Sequence, residues 1–151
     1  MTAVTKFVAE AIVVPGPRSP TLYLDIKGVP QVQERPRIRM QTFARQATLY
    51  DPSSKCKIAF KLAVKAALTE VGIATFPLFS RYTKIKVVAT CYIQNLAKDV
   101  DNLLKFVQDA LESVVYTNDC MIFESCIKKV HIGRADQFTK LEIFEVGPYL
   151  I

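Results

Sequence analysis

Apolar and polar positions alternate along several short segments of the chain, which is the pattern of half-buried β-strands. The clearest case is residues 21–26, where Leu22, Leu24 and Ile26 fall on one face. Residues 82–93 are rich in β-branched and aromatic side chains, which predicts a core strand. Three further segments are predicted as extended or strand structure: 35–40, 119–131 and 138–146.

Two stretches have helical spacing instead. The first begins at Asp51 and Pro52, because Asp favours the N-cap and Pro the first turn, and Gly72 can end it. The second covers roughly 101–114, with apolar side chains on one face and charged side chains on the other. The order of these elements predicts an α+β fold in which two main helices pack on a small mixed β-sheet.

Residues 1–20 are predicted to be an N-terminal arm or linker, and residues 21–151 a single domain. The first segment ends in Pro-Gly-Pro-Arg-Ser-Pro, which breaks regular structure. Within it, residues 4–13 could form a short amphipathic segment that contacts a partner or a second copy. Charged residues interrupt the apolar run and no small-residue cleavage site follows, so no signal peptide is expected. No apolar stretch approaches about eighteen residues, and no membrane partner is expected.

The chain is basic overall, with a net charge of +6 and a pI near 9.2, which predicts a polyanionic partner. The charges are unevenly distributed along it. Residues 27–57 hold seven basic and two acidic side chains, whereas residues 99–124 hold six acidic and one basic. A metal-using nuclease requires this combination, because arginines contact the DNA backbone and carboxylates hold the cation.

The cysteines and the histidine do not suggest a zinc site. Cys56, Cys91, Cys120 and Cys126 include no Cys-x-x-Cys pair, and the single histidine is His131. The cysteines are therefore interpreted as buried free thiols in a reducing compartment. His131 is interpreted as a strand residue without a catalytic role.

Three carboxylates are candidates for a metal site. Asp99 and Asp101 are two residues apart at the end of an extended segment, so their side chains leave on the same side. Asp119 begins the next predicted strand, and the three would converge if that strand lies beside the one that ends before Asp99. Carboxylate ligands of this kind suit Mg²⁺, with Mn²⁺ as a substitute.

Lys105 lies four residues beyond Asp101 on the same helix. One interpretation is an exposed ion pair worth roughly 0.3–0.5 kcal/mol. The other is a lysine that contacts the scissile phosphate or stabilises charge in the transition state. The spacing alone favours the ion pair.

Four arginines are candidate phosphate contacts. Arg35, Arg37 and Arg39 lie in an extended segment that Pro36 confines to a sheet edge or a loop, and Arg45 follows. Each would add salt-sensitive affinity that does not depend on base sequence. The alternative is a solvated strand face.

The order of these residues resembles the core motif of the RusA family of Holliday-junction resolvases. The motif reads Asp-x-Asp-Asn-Leu-x-Lys over residues 99–105, then Asp-Ala-Leu at 109–111 and Tyr-x-x-Asp at 116–119. Upstream, Gln-Glu-Arg-Pro-Arg at 33–37 and Tyr-Asp-Pro at 50–52 are also similar to the family. The resemblance spans about residues 21–146.

The resemblance implies a RusA-like homodimer that recognises four-way DNA junctions and makes paired symmetric nicks in recombination and repair, using Mg²⁺ and no small-molecule cofactor. Asp99, Asp101 and Asp119 would bind the metal, and Lys105 would be the catalytic lysine. Family members often have two adjacent acids where this chain has Asn118 followed by an acid, which puts the first of them in doubt. The remaining candidate DNA contacts, besides the arginines, are Lys98 and Asn102.

Two other functions remain open. The chain could be a non-catalytic protein that binds DNA junctions or single strands, or a metal nuclease that acts on other branched DNA. Phe106 could stack on an unpaired base, although partial burial or dimer packing is favoured. The expected location is the cytoplasm or nucleoid if the chain is prokaryotic or phage-encoded, and another DNA-containing compartment otherwise.

Overall fold

A computed structural model describes residues 6–41 and 46–146. Two main helices and seven strands make up most of this part of the chain, with two short 3-10 helices at Asp119–Met121 and Arg134–Asp136. In chain order the main elements are β1 (Val8–Val14), β2 (Thr21–Lys27), β3 (Arg37–Gln41), β4 (Gln46–Tyr50), α1 (Ser54–Glu70), β5 (Ile85–Ile93), α2 (Val100–Ala110), β6 (Ile122–His131) and β7 (Phe138–Glu145).

Five of the strands form one mixed sheet in the order β1-β2-β7-β5-β6. All neighbours in it are antiparallel except β5 and β6, which run parallel from the pair Ile85–Ile122 to the pair Ile93–His131. The crossover between these parallel strands contains α2, as a parallel connection requires. The remaining strands, β3 and β4, form a separate antiparallel hairpin. The prediction of an α+β fold with a mixed sheet is confirmed.

The two helices cover one face of the five-stranded sheet. Alternation along β2 buries Leu22, Leu24 and Ile26 on that face, and each such side chain contributes roughly 1.5–3 kcal/mol of transfer free energy. Phe60 of α1 and Phe106 of α2 meet edge to face at 5.7 Å within the same core. The helices are therefore fixed against each other by their packing on the sheet.

Phe106 is buried in this contact, with only 1% of its surface exposed. The hypothesis that it stacks on a DNA base is wrong, because its ring packs in the core against α1. The amphipathic pattern of α2 alone does not predict this contact, because it depends on how α1 packs against that helix.

The start of α1 differs in detail from the prediction. The N-cap is Ser53, and Asp51 lies two residues earlier, where its carboxylate accepts a hydrogen bond from the Ser53 backbone N–H at 2.9 Å. Asp51 therefore organises the turn that leads into the helix. The predicted end is confirmed, since Gly72 follows the C-cap Val71 with φ of +93°, a conformation that glycine adopts without strain.

The second helix ends at Ala110, earlier than predicted. The carbonyls of Val114 and Val115 accept backbone hydrogen bonds from residues 78–79 at 3.0 and 2.9 Å, and Ser113 has a positive φ of 72°. Val114 and Val115 are buried as the apolar periodicity suggested. They pack beneath the 78–79 segment as part of a turn that follows α2.

Two strands were missed in the sequence. Val8–Val14, inside the predicted arm, forms the edge strand β1 and pairs with β2 along its whole length. Apolar side chains occupy both of its faces, so there was no polar alternation to detect; Val13 packs on the core while Ile12 is 64% exposed. The short strand β4 ends just before the turn that leads into α1. Of the two hairpin strands, only the arginine-bearing segment of β3 was predicted as extended from the sequence.

The four cysteines are free, as predicted, but they are not all buried. Cys91 lies in the core, and burial raises the pKa of its thiol to about 11. Cys56 is partly buried. Cys120 and Cys126 are exposed, the first in the 3-10 helix that precedes β6 and the second on the outer face of that strand. Among the described residues no helix has the length and apolar character needed to cross a membrane.

Candidate active site

The first two predicted acids mark the start of α2. Asp99 is the N-cap of the helix, and its Oδ1 accepts a hydrogen bond from the backbone N–H of Asp101 at 3.0 Å. Both side chains are exposed. Their place at a helix N-terminus is favourable for negative charge, because the backbone N–H groups of the first turn point outward there.

The third predicted acid, Asp119, lies near the other end of α2. The expected neighbour relation between strands is present, since β5 and β6 are paired. They are parallel, however, so Asp99 follows the C-terminal end of β5 while Asp119 precedes the N-terminal end of β6. Strand adjacency therefore does not bring the three acids together within one chain.

Asp119 instead joins Asp109, in the last turn of α2, and Glu112, two residues beyond the end of that helix. Carboxylate oxygens of Asp109, Glu112 and Asp119 all lie within 4.8 Å of one another, a group that we call the acid cluster. Asp109 and Glu112 are half-buried and Asp119 is exposed. The helix rise of about 1.5 Å per residue separates Asp101 from Asp109 by about 12 Å along the axis.

Lys105 lies between two members of the acid cluster. Its ammonium group donates to Asp119 Oδ2 at 3.4 Å and lies 3.0 Å from Asp109 Oδ1, one helical turn further on. The Asp109 hydrogen bond, followed by the charges of Asp109 and Asp119, raises the pKa of Lys105 above its ordinary value. The lysine therefore stays positively charged at neutral pH, and it lies beside Asp119.

A second lysine reaches the same cluster from α1. Lys57 Nζ lies 3.2 Å from Asp109 Oδ2 and 2.8 Å from Asp51 Oδ2. Burial alone would raise the pKa of Asp51, but hydrogen bonds from Lys57, Ser53 and Gln33 outweigh it and lower that pKa well below its usual range. Asp51 is therefore charged at any physiological pH.

Tyr116 lies beneath the acid cluster. Its hydroxyl donates to the Gln108 carbonyl at 2.5 Å, and its side chain is buried. Burial, together with the charges of Glu112, Asp109 and Asp119, raises the pKa of Tyr116 well above its ordinary value. The phenol remains neutral and helps to hold the turn that carries the cluster.

The predicted DNA contacts fall into two groups. Arg35, Arg37 and Arg39 are exposed on or beside the β3–β4 hairpin, while Arg45 lies outside the described residues. Arg37 approaches Glu34 at 3.9 Å. The guanidinium of Arg39 lies over the ring of Tyr50, 4.7 Å from its centroid, and this contact orients it.

Lys98 and Asn102 flank the acids at the start of α2. The ammonium group of Lys98 donates to the Pro30 carbonyl, and burial lowers the pKa of this lysine. The Asn102 side chain is exposed, while its backbone carbonyl accepts from the Gln33 N–H at 2.9 Å. Both residues thus join α2 to the segment that leads into the hairpin.

Three members of this arrangement were not recognised as site residues in the sequence: Lys57, Asp109 and Glu112. Asp109 had a signal, since it belongs to the Asp-Ala-Leu motif and lies on the charged face predicted for the second helix, whereas Glu112 lies just beyond the end of α2. Lys57 had none, because its contact with Asp109 depends on the packing of α1 against α2.

Clustered carboxylates around a lysine, in an α+β domain with an arginine-bearing hairpin, are typical of hydrolytic nucleases that use a cation. A family model described as endodeoxyribonuclease RusA matches residues 27–143, well over half of the chain. The chain belongs to the RusA family of endodeoxyribonucleases, and the resemblance noted in the sequence is confirmed. A comparison with curated proteins found no match.

Proposed function

We propose that this chain is a Mg²⁺-dependent endonuclease that resolves four-way DNA junctions by paired symmetric nicks in recombination and repair. The observation that carries the proposal is the position of Lys105, which lies between Asp109 and Asp119 in a chain of an endodeoxyribonuclease family. A cationic side chain next to carboxylates can contact a phosphate while the carboxylates hold a cation. The protein would then act in the cytoplasm or nucleoid if it is prokaryotic or phage-encoded, and in another DNA-containing compartment otherwise.

The acid cluster would offer a hard divalent cation an oxygen ligand at Asp119 and added negative charge at Asp109 and Glu112. Its three carboxylates and Lys105 together leave two negative charges, which one Mg²⁺ or Mn²⁺ would neutralise, and both ions prefer oxygen ligands. When bound, such an ion supplies charge neutralisation and activates water for phosphodiester hydrolysis. The chain's own part is to arrange the carboxylates and to keep Lys105 charged beside them.

We propose Asp99, Asp101 and Asp119 as the metal-binding acids and Lys105 as the catalytic lysine. Within one chain, the Asp119 carboxylate lies within 4.8 Å of that of Asp109, and Asp109 is about 12 Å along the α2 axis from Asp101. A site that uses all three therefore takes Asp99 and Asp101 from one chain and Asp119 from a second. A homodimer supplies that arrangement twice, related by its twofold axis.

The DNA surface that we propose consists of the hairpin arginines and the start of α2. Arg35, Arg37 and Arg39 are exposed and would contact phosphates, and Arg45 is included from its place in the sequence. The exposed side chain of Asn102 lies next to Asp101. Lys98 would act in part by holding the Pro30 carbonyl, which fixes the segment before the hairpin.

Cleavage of a mobile four-way junction, followed on denaturing gels with and without Mg²⁺, tests the activity. We expect paired nicks only with the ion. Junction binding without any cleavage would overturn the proposal in favour of a non-catalytic junction protein. Faster cleavage of flaps or forks would assign the same chemistry to another branched DNA.

The arrangement of the acids is tested with Asp101→Asn and Asp119→Asn. Each variant alone should be inactive, while Asp25→Asn, on the helix-free face of the sheet, should cleave normally. Heterodimers of the two inactive variants, co-expressed with two tags, should regain one intact site and nick one strand. Inactive heterodimers would show that the acids act within one chain, and an active single variant would remove that acid from the site.

A further inference from the structure

Opposite charges alternate along a line that runs from the start of α1 to Asp119. The order is Asp51, Lys57, Asp109, Lys105 and Asp119, and each neighbouring pair lies between 2.8 and 3.4 Å apart. Lys57 is the less accessible of the two lysines, with 17% of its side chain exposed against 49% for Lys105. A half-buried, doubly paired ammonium group is held in place more firmly than an exposed one.

Lys57 is fixed from behind by Asp51. The Oδ2 atom of Asp51 contacts the ammonium group, while its Oδ1 accepts from the Ser53 backbone N–H at 2.9 Å and from Gln33 Nε2 at 3.2 Å. These contacts tie Asp51 to the α1 turn and to the segment before the hairpin. The ammonium group of Lys57 therefore meets Asp109 from a defined position.

This contact divides the Asp109 carboxylate between two lysines. Lys57 occupies Oδ2 at 3.2 Å, which leaves Oδ1 to Lys105 at 3.0 Å. Lys105 keeps its second contact with Asp119 because Asp109 offers it only one oxygen. Without Lys57, Asp109 would be free to turn both oxygens toward Lys105, its neighbour one helical turn away, and to draw it from Asp119.

We infer that Lys57 is a positioning residue for the cleavage reaction, which orients Lys105 against Asp119 through the carboxylate of Asp109. The inference rests on the function proposed above. It adds a residue of α1, without direct contact to Asp119, to the residues that set the geometry around the acid cluster.

Removing Lys57 should lower the cleavage rate but strengthen cation binding. Lys105 loses its fixed direction, and misplacement by about 1 Å can cost up to a hundredfold in rate. The surroundings of the acid cluster also become more negative by one charge, which strengthens the attraction for a divalent cation. A merely structural role for Lys57 would weaken catalysis and cation binding together.

Lys57→Met is the direct test, with two readouts. We expect single-turnover junction cleavage at saturating Mg²⁺ to fall between about tenfold and a hundredfold. Binding of Mn²⁺ alone, measured by calorimetry without DNA, should become several-fold tighter. Lys57→Arg keeps the charge and can reach both carboxylates, so it should restore most of the rate and the original Mn²⁺ affinity. Thermal melting verifies the fold, and Lys57→Gln replaces the Met variant if that variant is unfolded.

The matched control is Lys61→Met, one turn further along α1, which should change neither readout. A double variant with Lys105→Ala completes the test, because Lys57→Met should then cost little further rate. Independent, multiplicative losses would overturn the inference, as would a rate in Lys57→Met equal to that of the control. Absence of cleavage by the parent protein would overturn the proposed function instead, and an unchanged Mn²⁺ affinity would then overturn this inference as well.

Discussion

At the scale of single residues, Lys105 pairs with two acids of the acid cluster and is the proposed catalytic lysine. Lys105→Ala should lower the single-turnover cleavage rate by about a hundredfold or more, because one lost transition-state contact costs that much. The ion pairs it makes are half exposed, so the free energy of unfolding should fall by less than about 1 kcal/mol. Rapid-quench kinetics and urea denaturation measure the two effects separately.

Lys140→Ala is the control for Lys105→Ala, because it removes an exposed lysine from the helix-free face of the sheet. It should leave both the cleavage rate and stability near those of the parent. If Lys105→Ala instead turned over normally, the contacts with Asp109 and Asp119 would be no more than a surface ion-pair network. Lys105 would then be a surface ion-pair residue, the interpretation that its spacing alone favours.

The residues that could be read from the sequence are those whose spacing is local. Asp99 and Asp101 mark the start of a helix, and Lys105 and Asp109 share one face of it, all within a few turns of one another. Lys57 pairs with Asp109, which lies 52 positions further along the sequence. Only the packing of α1 on α2 determines that these two side chains meet. Periodicity predicts the face of a helix, but it does not predict which side chain of another helix will meet it.

At the scale of elements, the β3–β4 hairpin is the proposed DNA contact. Arg37→Ala together with Arg39→Ala should flatten the slope of log K against log[salt] by about 1–2 units, because fewer counterions are released on binding. The loss should be similar for junctions of different base sequence, since phosphates carry no sequence information. Filter binding or fluorescence anisotropy over a salt series measures it.

The paired control for the hairpin removes two other exposed lysines, Lys128 and Lys140, from the helix-free face of the sheet. This variant makes the same change in net charge and should leave most of the slope intact. An unchanged slope in the arginine variant, with a flattened one in the control, would indicate that the DNA contacts the helix-free face of the sheet and not the hairpin.

The edge strand β1 gives a second prediction at this scale. Val13→Asp should lower the free energy of unfolding by about 2–4 kcal/mol, because it places a charge against the core. Ile12→Asp, at the neighbouring position, should cost less than about 1 kcal/mol because that side chain faces solvent. Urea denaturation of both variants compares the two faces of one strand. Equal effects would mean that residues 8–14 behave as the arm predicted from the sequence.

Elements were predictable where one face is apolar and the other polar. Residues 21–26 and the amphipathic helix beginning near Asp101 have that contrast, and the structure contains both. The β1 strand lacks it, because small and apolar residues occupy both faces of an edge. Even with correct strands, the convergence of three acids depended on strand direction, and the parallel pairing of β5 with β6 separates them.

At the scale of the whole molecule, the prediction is a homodimer. A chain of 17.0 kDa provides one set of candidate acids, yet a junction is resolved by two nicks placed symmetrically. A twofold dimer meets a nearly twofold junction with two equivalent sites, and the separation of Asp101 from Asp119 within one chain gives a second reason for two copies. Light scattering at micromolar concentration should therefore give twice the mass of the chain, with or without junction DNA.

Pairing of the two nicks is the functional consequence of that dimer. On a supercoiled plasmid with an extruded cruciform, a dimer with two sites should cut both strands before it dissociates. Nicking one strand relaxes the plasmid and removes the cruciform, so linear product can form only when both cuts are made in one binding event. The product should be linear DNA from the earliest time points. Heterodimers that carry one intact site should yield nicked circles on the same substrate. A monomer mass together with nicked circles from the parent protein would contradict the dimer and with it the shared arrangement of Asp101 and Asp119.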